Sequence, residues 1–348
     1  MNIHVVRPGD TLYSIALQYG VPMSLLMEAN GLSGTARLAV GQTLVVQIPR
    51  VTHVVQPGET LLTIAQQYGL SLRQLYRNNP VLDGLPELWP GQTLVISYED
   101  TPQRSIEVNG YAYPFIDRAL LRQTLPYLTW LTPFTYGFTP EGAMVTLDDQ
   151  LLLDLARDYR VKPLMHLSTL TEEGGFSSAL ASQILNDLPT QQVLIDNVMA
   201  TIQAKGYEGL DVDFEFLPAR DAQAYAAFLT RLRARLAPLG LPLITALAPK
   251  TSADQPGLLY EGHNYRLVGQ ASDAVLLMTY EWGYTSPPPR DRSGHFSTKK
   301  QGPVTKYTNR TNSLSFRAKQ PPKAAVLRGN PFFSRRNGLP RAALRPSQ

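Results

Sequence analysis

Three of the four carboxylates in residues 208–216 stand at alternate positions. The segment reads EGLDVDFEF, and successive side chains of a β-strand point to opposite faces. We therefore expect Asp211, Asp213 and Glu215 to share one face, with large apolar residues on the other. Repulsion between like charges, together with burial, raises the pKa of a carboxyl in such a group. A carboxylic acid that stays protonated near neutral pH can protonate a leaving oxygen, as the acid of a glycosidase does.

Alternating strand and helix patterns surround this segment. Strands are predicted at residues 106–113, 128–136, 162–167, 209–216, 243–248 and 274–280, and helices at residues 151–159, 191–205 and 222–236. This alternation predicts a parallel α/β sheet, and six consecutive units favour a barrel over an open, doubly wound sheet. Barrel enzymes place their chemistry at the C-terminal ends of the strands, where Glu215 falls. The other interpretation, a strand with a solvated acidic face, is disfavoured for a sheet that is covered on both faces.

The first 97 residues contain one pattern twice. HVVRPGDTLYSIALQYGV begins at His4, and HVVQPGETLLTIAQQYGL begins at His53. In each copy a short β-rich segment ends at a Pro-Gly turn, a potential N-cap follows, and apolar residues then recur at helical spacing up to a glycine. A second short helix and a returning strand, GQTLVV or GQTLVI, complete the unit. The pattern predicts two small α+β modules, each with the order strand–helix–helix–strand.

Each module resembles the LysM domain, over residues 1–48 and 51–97. The PGDTL or PGETL turn, the aromatic residue before glycine, the asparagine and the closing GQTL all occur twice. The resemblance implies binding of glycans that contain N-acetylglucosamine, such as peptidoglycan or chitin, and two linked weak sites gain avidity. It places the sugar against Gly9, Asp10, Thr11, Asn30, Gly58, Glu59, Thr60 and Asn79. The alternative role for these residues is to build turns and helix caps.

Residues 208–215 resemble the catalytic signature of glycoside hydrolase family 18. The usual form is Asp-Gly-x-Asp-x-Asp-x-Glu, and here Glu208 replaces the first Asp. The resemblance implies that Glu215 is the general acid and that Asp213 orients the acetamido group of the substrate. It also implies that Asp211 shares a proton with Asp213, and that cleavage is substrate-assisted with retention of configuration.

The sixth predicted strand runs into MTYEWGY, which resembles the Met-x-Tyr motif of the same family. The resemblance implies that the Tyr280 hydroxyl contacts the reacting acetamido group, and that Tyr111, Met278 and Trp282 contribute to substrate binding. With the two LysM units, the chain resembles the spore-cortex N-acetylglucosaminidases of the SleL/YaaH type. His166, on the third strand, has no partner residues for a metal site and is expected to lie in the core or to line the pocket. No metal and no organic cofactor is implied.

The charge of the chain is distributed unevenly. Residues 286–348 contain 14 Lys and Arg and one acid, so they carry +13, whereas residues 1–285 carry −9. This basic segment is rich in Pro and Ser and has no strand–helix rhythm, although a barrel of eight units needs about 250 residues. Three explanations are open: a frameshifted or degraded gene, a genuine basic tail that binds polyanions nonspecifically, and a compact extra domain. The abrupt change after residue 285 favours the first.

Several classes of protein and site are excluded or disfavoured. The chain has no cysteine, which excludes disulfides and thiolate metal sites. No apolar run approaches the roughly 18 residues of a membrane span, and the first residues do not resemble a secretory signal. We therefore expect neither a membrane partner nor a dedicated nucleic-acid partner, and we expect association with the spore cortex or coat or with the cell wall.

The predicted organisation is two LysM modules, a linker at residues 98–104, an incomplete (β/α)8-type barrel at residues 105–285 and a basic tail at residues 286–348. Two functions stay open. The first is a peptidoglycan-binding glycosidase that cleaves after N-acetylglucosamine in the spore cortex. The second is a catalytically inactive protein that binds peptidoglycan or chitin through its LysM modules alone. Because two barrel units are missing in this interpretation, the chain is expected to be a poor enzyme.

Overall fold

A computed structural model describes residues 2–99 and 105–279. Its first module has the predicted order of elements, namely β1 (Asn2–Val5), α1 (Leu12–Tyr19), α2 (Met23–Asn30) and β2 (Thr43–Val46). The strands β1 and β2 pair antiparallel. A capping box between Thr11 and Ser14 begins α1, and Gly20 ends it in the left-handed region, at φ 65°. Both helix-boundary signals in the sequence therefore act as expected.

The second module repeats this arrangement. It comprises β3 (Pro49–Val54), α3 (Leu61–Gln67), α4 (Leu72–Asn78), a 3-10 turn (Pro80–Leu82) and β4 (Thr93–Tyr98). The strands β3 and β4 pair antiparallel, and a capping box between Thr60 and Thr63 begins α3. Tyr98, which the sequence places in the linker, is the last residue of β4, and its hydroxyl donates to the Asn78 carbonyl oxygen over 2.9 Å.

The third part of the chain alternates strands and helices. Its strands are β5 (Asn109–Ala112), β6 (Trp130–Pro133), β7 (Gly137–Phe138), β8 (Met144–Val145), β9 (Lys162–Pro163), β10 (Met165–Ser168), β11 (Leu210–Asp213), β12 (Leu243–Leu247) and β13 (Ala274–Leu277). Its helices are α5 (Arg118–Thr124), α6 (Gln150–Asp158), α7 (Ser178–Asn186), α8 (Leu188–Lys205), α9 (Ala222–Leu236), α10 (Leu258–Glu261) and α11 (Tyr265–Ala271). Short 3-10 turns lie at Leu125–Tyr127, Ala219–Asp221 and Ala237–Leu239. The hairpin β7–β8 and the helices α5, α7, α10 and α11 add to the predicted elements.

The parallel strands follow one another in sequence order. β5, β6 and β9 are neighbours, as are β10, β11, β12 and β13. β9 and β10 are two halves of the predicted third strand, separated only by Leu164. The chain beyond β6 continues the ladder onto β10, because the Tyr136 N–H donates to the His166 carbonyl oxygen over 3.0 Å. A sheet whose parallel strands follow sequence order without reversal is typical of a barrel and not of a doubly wound sheet. The predicted fold class is therefore confirmed.

Helices cover the apolar side of this sheet. Leu210, Val212 and Phe214 alternate with the acids of β11 and are fully buried. The Phe214 ring lies 5.7 Å from Tyr225 and 5.6 Å from Phe228 of α9. Burying a side chain such as Phe stabilises the fold by about 1.5–3 kcal/mol. Because the apolar residues of the segment are buried against the helices, the acids between them point to the opposite face of the sheet.

The second module and the sheet share one hydrophobic core. Side chains of α4 and the following turn pack with those of α5, β6 and α6 in a single buried cluster. The Arg73 guanidinium donates to the Leu128 carbonyl oxygen over 2.5 Å, and the Tyr159 hydroxyl donates to the Gly84 carbonyl oxygen. A Cβ on Gly84 would lie 2.3 Å from the Arg122 carbonyl oxygen, so glycine permits this close contact. The first module has a hydrophobic core of its own.

Some predicted boundaries differ from the observed ones. β11 ends at Asp213 and not at Phe216, because the Phe214 carbonyl oxygen bonds to the His263 side chain and Phe216 has a left-handed φ of 56°. The predicted basic tail at residues 286–348 lies outside the described residues. No helix in residues 2–99 or 105–279 is long and apolar enough to cross a membrane.

Candidate active site

Three strands bring polar side chains together on the inner side of the sheet. Tyr111 lies on β5, His166 on β10, and Asp211 and Asp213 on β11. The register between β10 and β11 places His166 opposite Asp211. The Tyr111 hydroxyl donates to Asp211 Oδ2 over 2.5 Å, so β5 reaches across the sheet to the acids. Tyr111, Asp211 and Asp213, which the sequence selects independently, therefore lie in one cluster.

Burial changes the acidity of Asp211. Asp211 has no exposed surface, and burial raises the pKa of its carboxyl to about 6. His166 and the hydrogen bond from Tyr111 act against burial and the charge of Asp213 acts with it, and the pKa of about 6 is the net result of these causes. Asp211 is therefore the member of the group whose pKa the surroundings raise towards neutrality. That it shares a proton with Asp213 stays a prediction.

His166 touches both aspartates, which the sequence alone does not indicate. Its Nε2 lies 3.9 Å from Asp211 Oδ2 and 3.7 Å from Asp213 Oδ2. Its Nδ1 lies 2.6 Å from Thr135 Oγ1, and the ring is buried. Among the described residues, His166 Nε2 and Oδ1 of each aspartate have no hydrogen-bond partner. The imidazole therefore belongs to the acid cluster as well as to the core.

Glu215 follows the end of β11 by two residues. Its side chain is half-buried, whereas the next residue, Phe216, is 44% exposed. The left-handed conformation of Phe216 costs roughly 1–2 kcal/mol for a residue with a Cβ. Such strain at the edge of a site persists where the surrounding contacts hold the chain in place. The catalytic role of Glu215 stays a prediction.

The end of the sixth strand supplies the remaining predicted residues. Met278 directly follows β13, is half-buried, and its N–H donates to the Leu247 carbonyl oxygen over 3.0 Å. Tyr280 and Trp282 lie outside the described residues. The predicted contacts of all three side chains with the substrate stay predictions.

Aromatic side chains that the sequence analysis did not select lie beside the cluster. Tyr113 stacks on Phe115 at 5.0 Å, and the Phe134 ring lies 5.2 Å from Tyr113 and 6.3 Å from Phe176. Phe115 is 66% exposed and Phe176 is 49% exposed. Exposed aromatic faces next to convergent polar groups are typical of ligand sites. The sequence contained one signal for these side chains, because aromatic residues directly follow the first two strands of the barrel.

The predicted glycan-binding acids of the LysM modules have partners within their own loops. Asp10 Oδ2 accepts from His4 Nε2 over 2.9 Å and from the Arg7 N–H over 2.7 Å. Glu59 Oε2 accepts from His53 Nε2 and from the Gln56 N–H, each over 2.7 Å. The backbone hydrogen bond, followed by the bond from His4, lowers the pKa of Asp10. These carboxylates stabilise the loop between the first strand and the first helix.

The two predicted asparagines join the second helix of each module to its last strand. Asn79 is buried; its Nδ2 donates to the Leu75 and Val95 carbonyl oxygens, each over 2.8 Å, and its Oδ1 accepts from the Val95 N–H over 2.7 Å. Asn30 makes the equivalent bonds in the first module. The alternative of cap construction describes Thr11 and Thr60, which cap helices, whereas both asparagines have a structural role as bridges between helix and strand. Direct contact of these residues with a sugar stays a prediction.

The two Pro-Gly turns leave their glycines open to the outside. Gly9 has φ 89° and Gly58 has φ 85°, conformations that other residues rarely adopt. A Cβ built on either glycine meets no atom within 4 Å. The backbone there is accessible to a ligand. Among the described residues, no group of three His, Asp or Glu side chains could hold a metal ion.

Comparison with known families agrees with this organisation. The LysM domain model matches residues 4–47 and 53–97. The model of glycosyl hydrolases family 18 matches residues 130–336. The second match begins at β6, and it continues past residue 285, where the sequence analysis places the end of the barrel.

Relatives from Bacillus species match most of the length of the chain. The chain is 36% identical to the cortical fragment-lytic enzyme of Bacillus subtilis over 83% of its own length and 68% of the relative. It is similar to the crystal structure of the Bacillus cereus spore cortex-lytic enzyme SleL, with a TM-score of 0.63 and 34% identity, over 83% of this chain and 67% of that one. The corresponding Bacillus megaterium structure gives a TM-score of 0.62 and 31% identity, over 82% of this chain and 67% of that one. With the acid cluster at the strand ends and a family match over more than half of its length, the chain belongs to glycosyl hydrolases family 18 and carries two LysM domains before its barrel.

Proposed function

We propose that this chain cleaves peptidoglycan after N-acetylglucosamine, with the spore cortex as its substrate and retention of configuration. The observation that carries the proposal is the arrangement at the end of β11. Two acids of this strand meet His166 in a buried cluster, which the Tyr111 hydroxyl joins through Asp211, and Glu215 follows directly. The names of the relatives, a cortical fragment-lytic enzyme and spore cortex-lytic enzymes, support the choice of substrate.

The proposed reaction has two steps. Glu215 donates its proton to the glycosidic oxygen while the carbonyl oxygen of the substrate acetamido group attacks the anomeric carbon, so that the leaving sugar departs and a cyclic oxazolinium forms. Water then attacks the anomeric carbon from the face that the leaving group vacated, and Glu215 takes the proton of that water. Two inversions at one carbon give net retention, and the attacking oxygen is returned to the substrate.

The aspartates prepare the acetamido group for this attack. Asp213 orients the amide and balances the positive charge that develops on the oxazolinium. Asp211 is buried and its pKa is raised to about 6, so it can hold a proton near neutral pH and limit the charge of the pair. The Tyr111 hydroxyl fixes the orientation of Asp211 by donating to its Oδ2.

The LysM modules hold the enzyme on its insoluble substrate. Each presents an open Pro-Gly turn, at Gly9 and Gly58, and two linked weak sites increase the residence time on a polymer. The second module packs directly on the barrel, so one of the two modules keeps a constant position relative to Glu215. We infer that the protein works at the spore cortex or cell wall.

Replacement of Glu215 by Gln tests the proposal. We expect turnover of cortical fragments to fall by about 10²–10⁴-fold, because Gln cannot donate the proton, while sedimentation with peptidoglycan stays unchanged. Glu208→Gln is the matched control, since Glu208 is exposed and stands at the first position of the signature. Early proton spectra of the products should show the β-anomer first. Turnover by Glu215→Gln within tenfold of the parent would remove Glu215 from the acid role.

A different result would support the alternative function. If the parent protein sediments with peptidoglycan but releases no product from cortical fragments, chitin oligomers or intact cortex, the chain acts by binding alone. Product masses from the same experiment distinguish cleavage within the glycan from cleavage at its end.

A further inference from the structure

We propose that His263 is a positioning residue for Glu215. Its neutral imidazole joins the peptide before Glu215 to the end of β12 and so holds Glu215 in place. The proposal rests on the proposed function, because it assigns His263 to the acid of that reaction. His263 lies between α10 and α11, in a segment that carries none of the family motifs discussed above.

The hydrogen bonds of His263 define its protonation state. Its Nε2 lies 2.8 Å from the Phe214 carbonyl oxygen, and its Nδ1 lies 3.1 Å from the Ala248 backbone nitrogen. Because a backbone N–H can only donate, Nδ1 accepts and carries no hydrogen. Because a carbonyl can only accept, Nε2 carries the hydrogen and donates it. Both ring nitrogens are used, and the ring is fully buried and neutral.

The hydrogen bond from His263 to Phe214 lies just beyond the end of β11, where no strand pairing fixes the backbone. β11 ends at Asp213, so the Phe214 carbonyl lies beyond the last residue of that strand. This carbonyl belongs to the peptide that joins Phe214 to Glu215, and its direction helps to set the direction in which the Glu215 side chain leaves the backbone. The imidazole therefore substitutes for a strand neighbour at the one peptide that precedes the acid.

Gly262 holds the other side of the same turn. A Cβ on Gly262 would lie 2.3 Å from Leu217 Cβ and 2.4 Å from the Leu217 carbonyl oxygen. Two consecutive residues thus contact the chain just before and just after Glu215 and Phe216. The left-handed Phe216 needs such support, because its conformation is unfavourable without external contacts.

The surroundings of His263 favour the neutral ring. Burial is the largest cause that lowers the pKa of His263, and Lys250 lowers it further, whereas the Phe214 carbonyl and Asp213 raise it. The Tyr225 ring of α9 stacks on the imidazole at 6.3 Å. The Tyr265 hydroxyl also contacts Ala248, donating to its carbonyl oxygen over 2.6 Å. A second ring proton would face the Ala248 N–H, so the protonated ring would lose this contact.

Two amide variants separate the two hydrogen bonds. In His263→Gln, the Nε2 of Gln takes the place of the ring Nε2 and can still donate to Phe214. In His263→Asn, the Oδ1 of Asn takes the place of Nδ1 and can still accept from Ala248, but the bond to Phe214 is lost. Tyr265→Phe is the matched control, because it removes bonds from the same segment to Ala248 and Lys250 without touching Phe214.

Hydrogen–deuterium exchange of the full-length chain provides a readout that does not need turnover. In His263→Asn, we expect amides in residues 214–217 to exchange at least about fivefold faster than in the parent, with His263→Gln closer to the parent. With cortical fragments as substrate, kcat of His263→Asn should fall by at least about tenfold while KM changes little, because a displaced acid loses rate and not binding. Tyr265→Phe should lose stability and leave both readouts near those of the parent.

Three results would overturn the proposal. One is equal exchange in residues 214–217 for His263→Asn and His263→Gln, and another is the same acceleration in Tyr265→Phe. The third is an imidazole ¹⁵N spectrum of the parent near pH 7, assigned by the signal missing in His263→Gln, that shows a ring protonated on Nδ1. Loss of turnover in the parent would count against the proposed function alone, since exchange and tautomer still decide the role of His263.

Discussion

Replacement of Asp211 by Asn should change how the stability of the barrel depends on pH. In the folded chain the pKa of Asp211 is raised from 3.8 to about 6. The folded state therefore binds the proton more tightly than the unfolded state does. The stabilisation from this proton is complete below pH 3.8 and is lost as the pH rises through about 6. Asn cannot ionise, so the variant lacks this loss.

The size of the effect follows from the pKa difference. A rise of about two pKa units, at 1.36 kcal/mol for each unit, corresponds to about 3 kcal/mol in the free energy of unfolding. We expect Asp211→Asn to gain about 3 kcal/mol relative to the parent between roughly pH 4 and pH 7.5. The Asn side chain keeps an oxygen that can accept from Tyr111, so the hydrogen bond at this position is retained.

Urea unfolding at several pH values measures this difference. A Trp89→Phe, Trp282→Phe background removes the 72% exposed tryptophan of the second module and the tryptophan at position 282, so fluorescence then follows Trp130, which is buried in β6. Asp154→Asn, on the exposed surface of α6, is the control. A difference between Asp211→Asn and the parent that stays constant from acid to neutral pH would show that burial does not raise the pKa of Asp211.

Three further predictions concern other parts of the chain. A fragment of residues 1–48, the first module with a hydrophobic core of its own, should sediment with insoluble peptidoglycan at micromolar concentration; recovery in the supernatant would contradict glycan binding by that module. Tyr111→Phe removes a hydrogen bond that lowers the pKa of Asp211, so ¹³C titration of that carboxyl should give a higher pKa; a lower or unchanged value would refute the assignment. The pKa of His263 is lowered in the folded state, so its contribution to stability is present above its ordinary value of about 6.5 and is lost as the pH falls. His263→Gln should therefore flatten the acid side of the stability profile in urea unfolding, and an unchanged slope would contradict the lowered pKa.

Local patterns were sufficient for several regular elements, although they did not predict α5, α7, α10, α11 or the β7–β8 hairpin. The helix predicted at residues 222–236 coincides with α9 (Ala222–Leu236), because its apolar residues recur at helical spacing along its whole length. The period of two in EGLDVDFEF correctly separates Asp211 and Asp213 from the buried Phe214. In both cases the information lies within the segment itself.

Distant partners could not be predicted from the sequence. β11 was expected to continue to Phe216, but the Phe214 carbonyl bonds to His263, which is 49 residues away. His166 had no visible partner, because Asp211, Asp213 and Thr135 reach it from two other segments of the chain. Only the sheet order and the burial of each side chain bring such groups together.

The second LysM module and the barrel share a hydrophobic core, so the boundary of the folding unit differs from the boundary of the LysM family model. The family model ends at residue 97, yet side chains such as Leu75 and Leu82 are buried against Leu121 and Leu125. Excision of this module would therefore expose apolar surface on both pieces, and transplanting it to another enzyme would require a matching surface there. The first module buries its apolar side chains in a core of its own, so its replacement would leave the shared core intact, and we expect variation in the number of repeats to be easier at the outer end of the array than at the inner one.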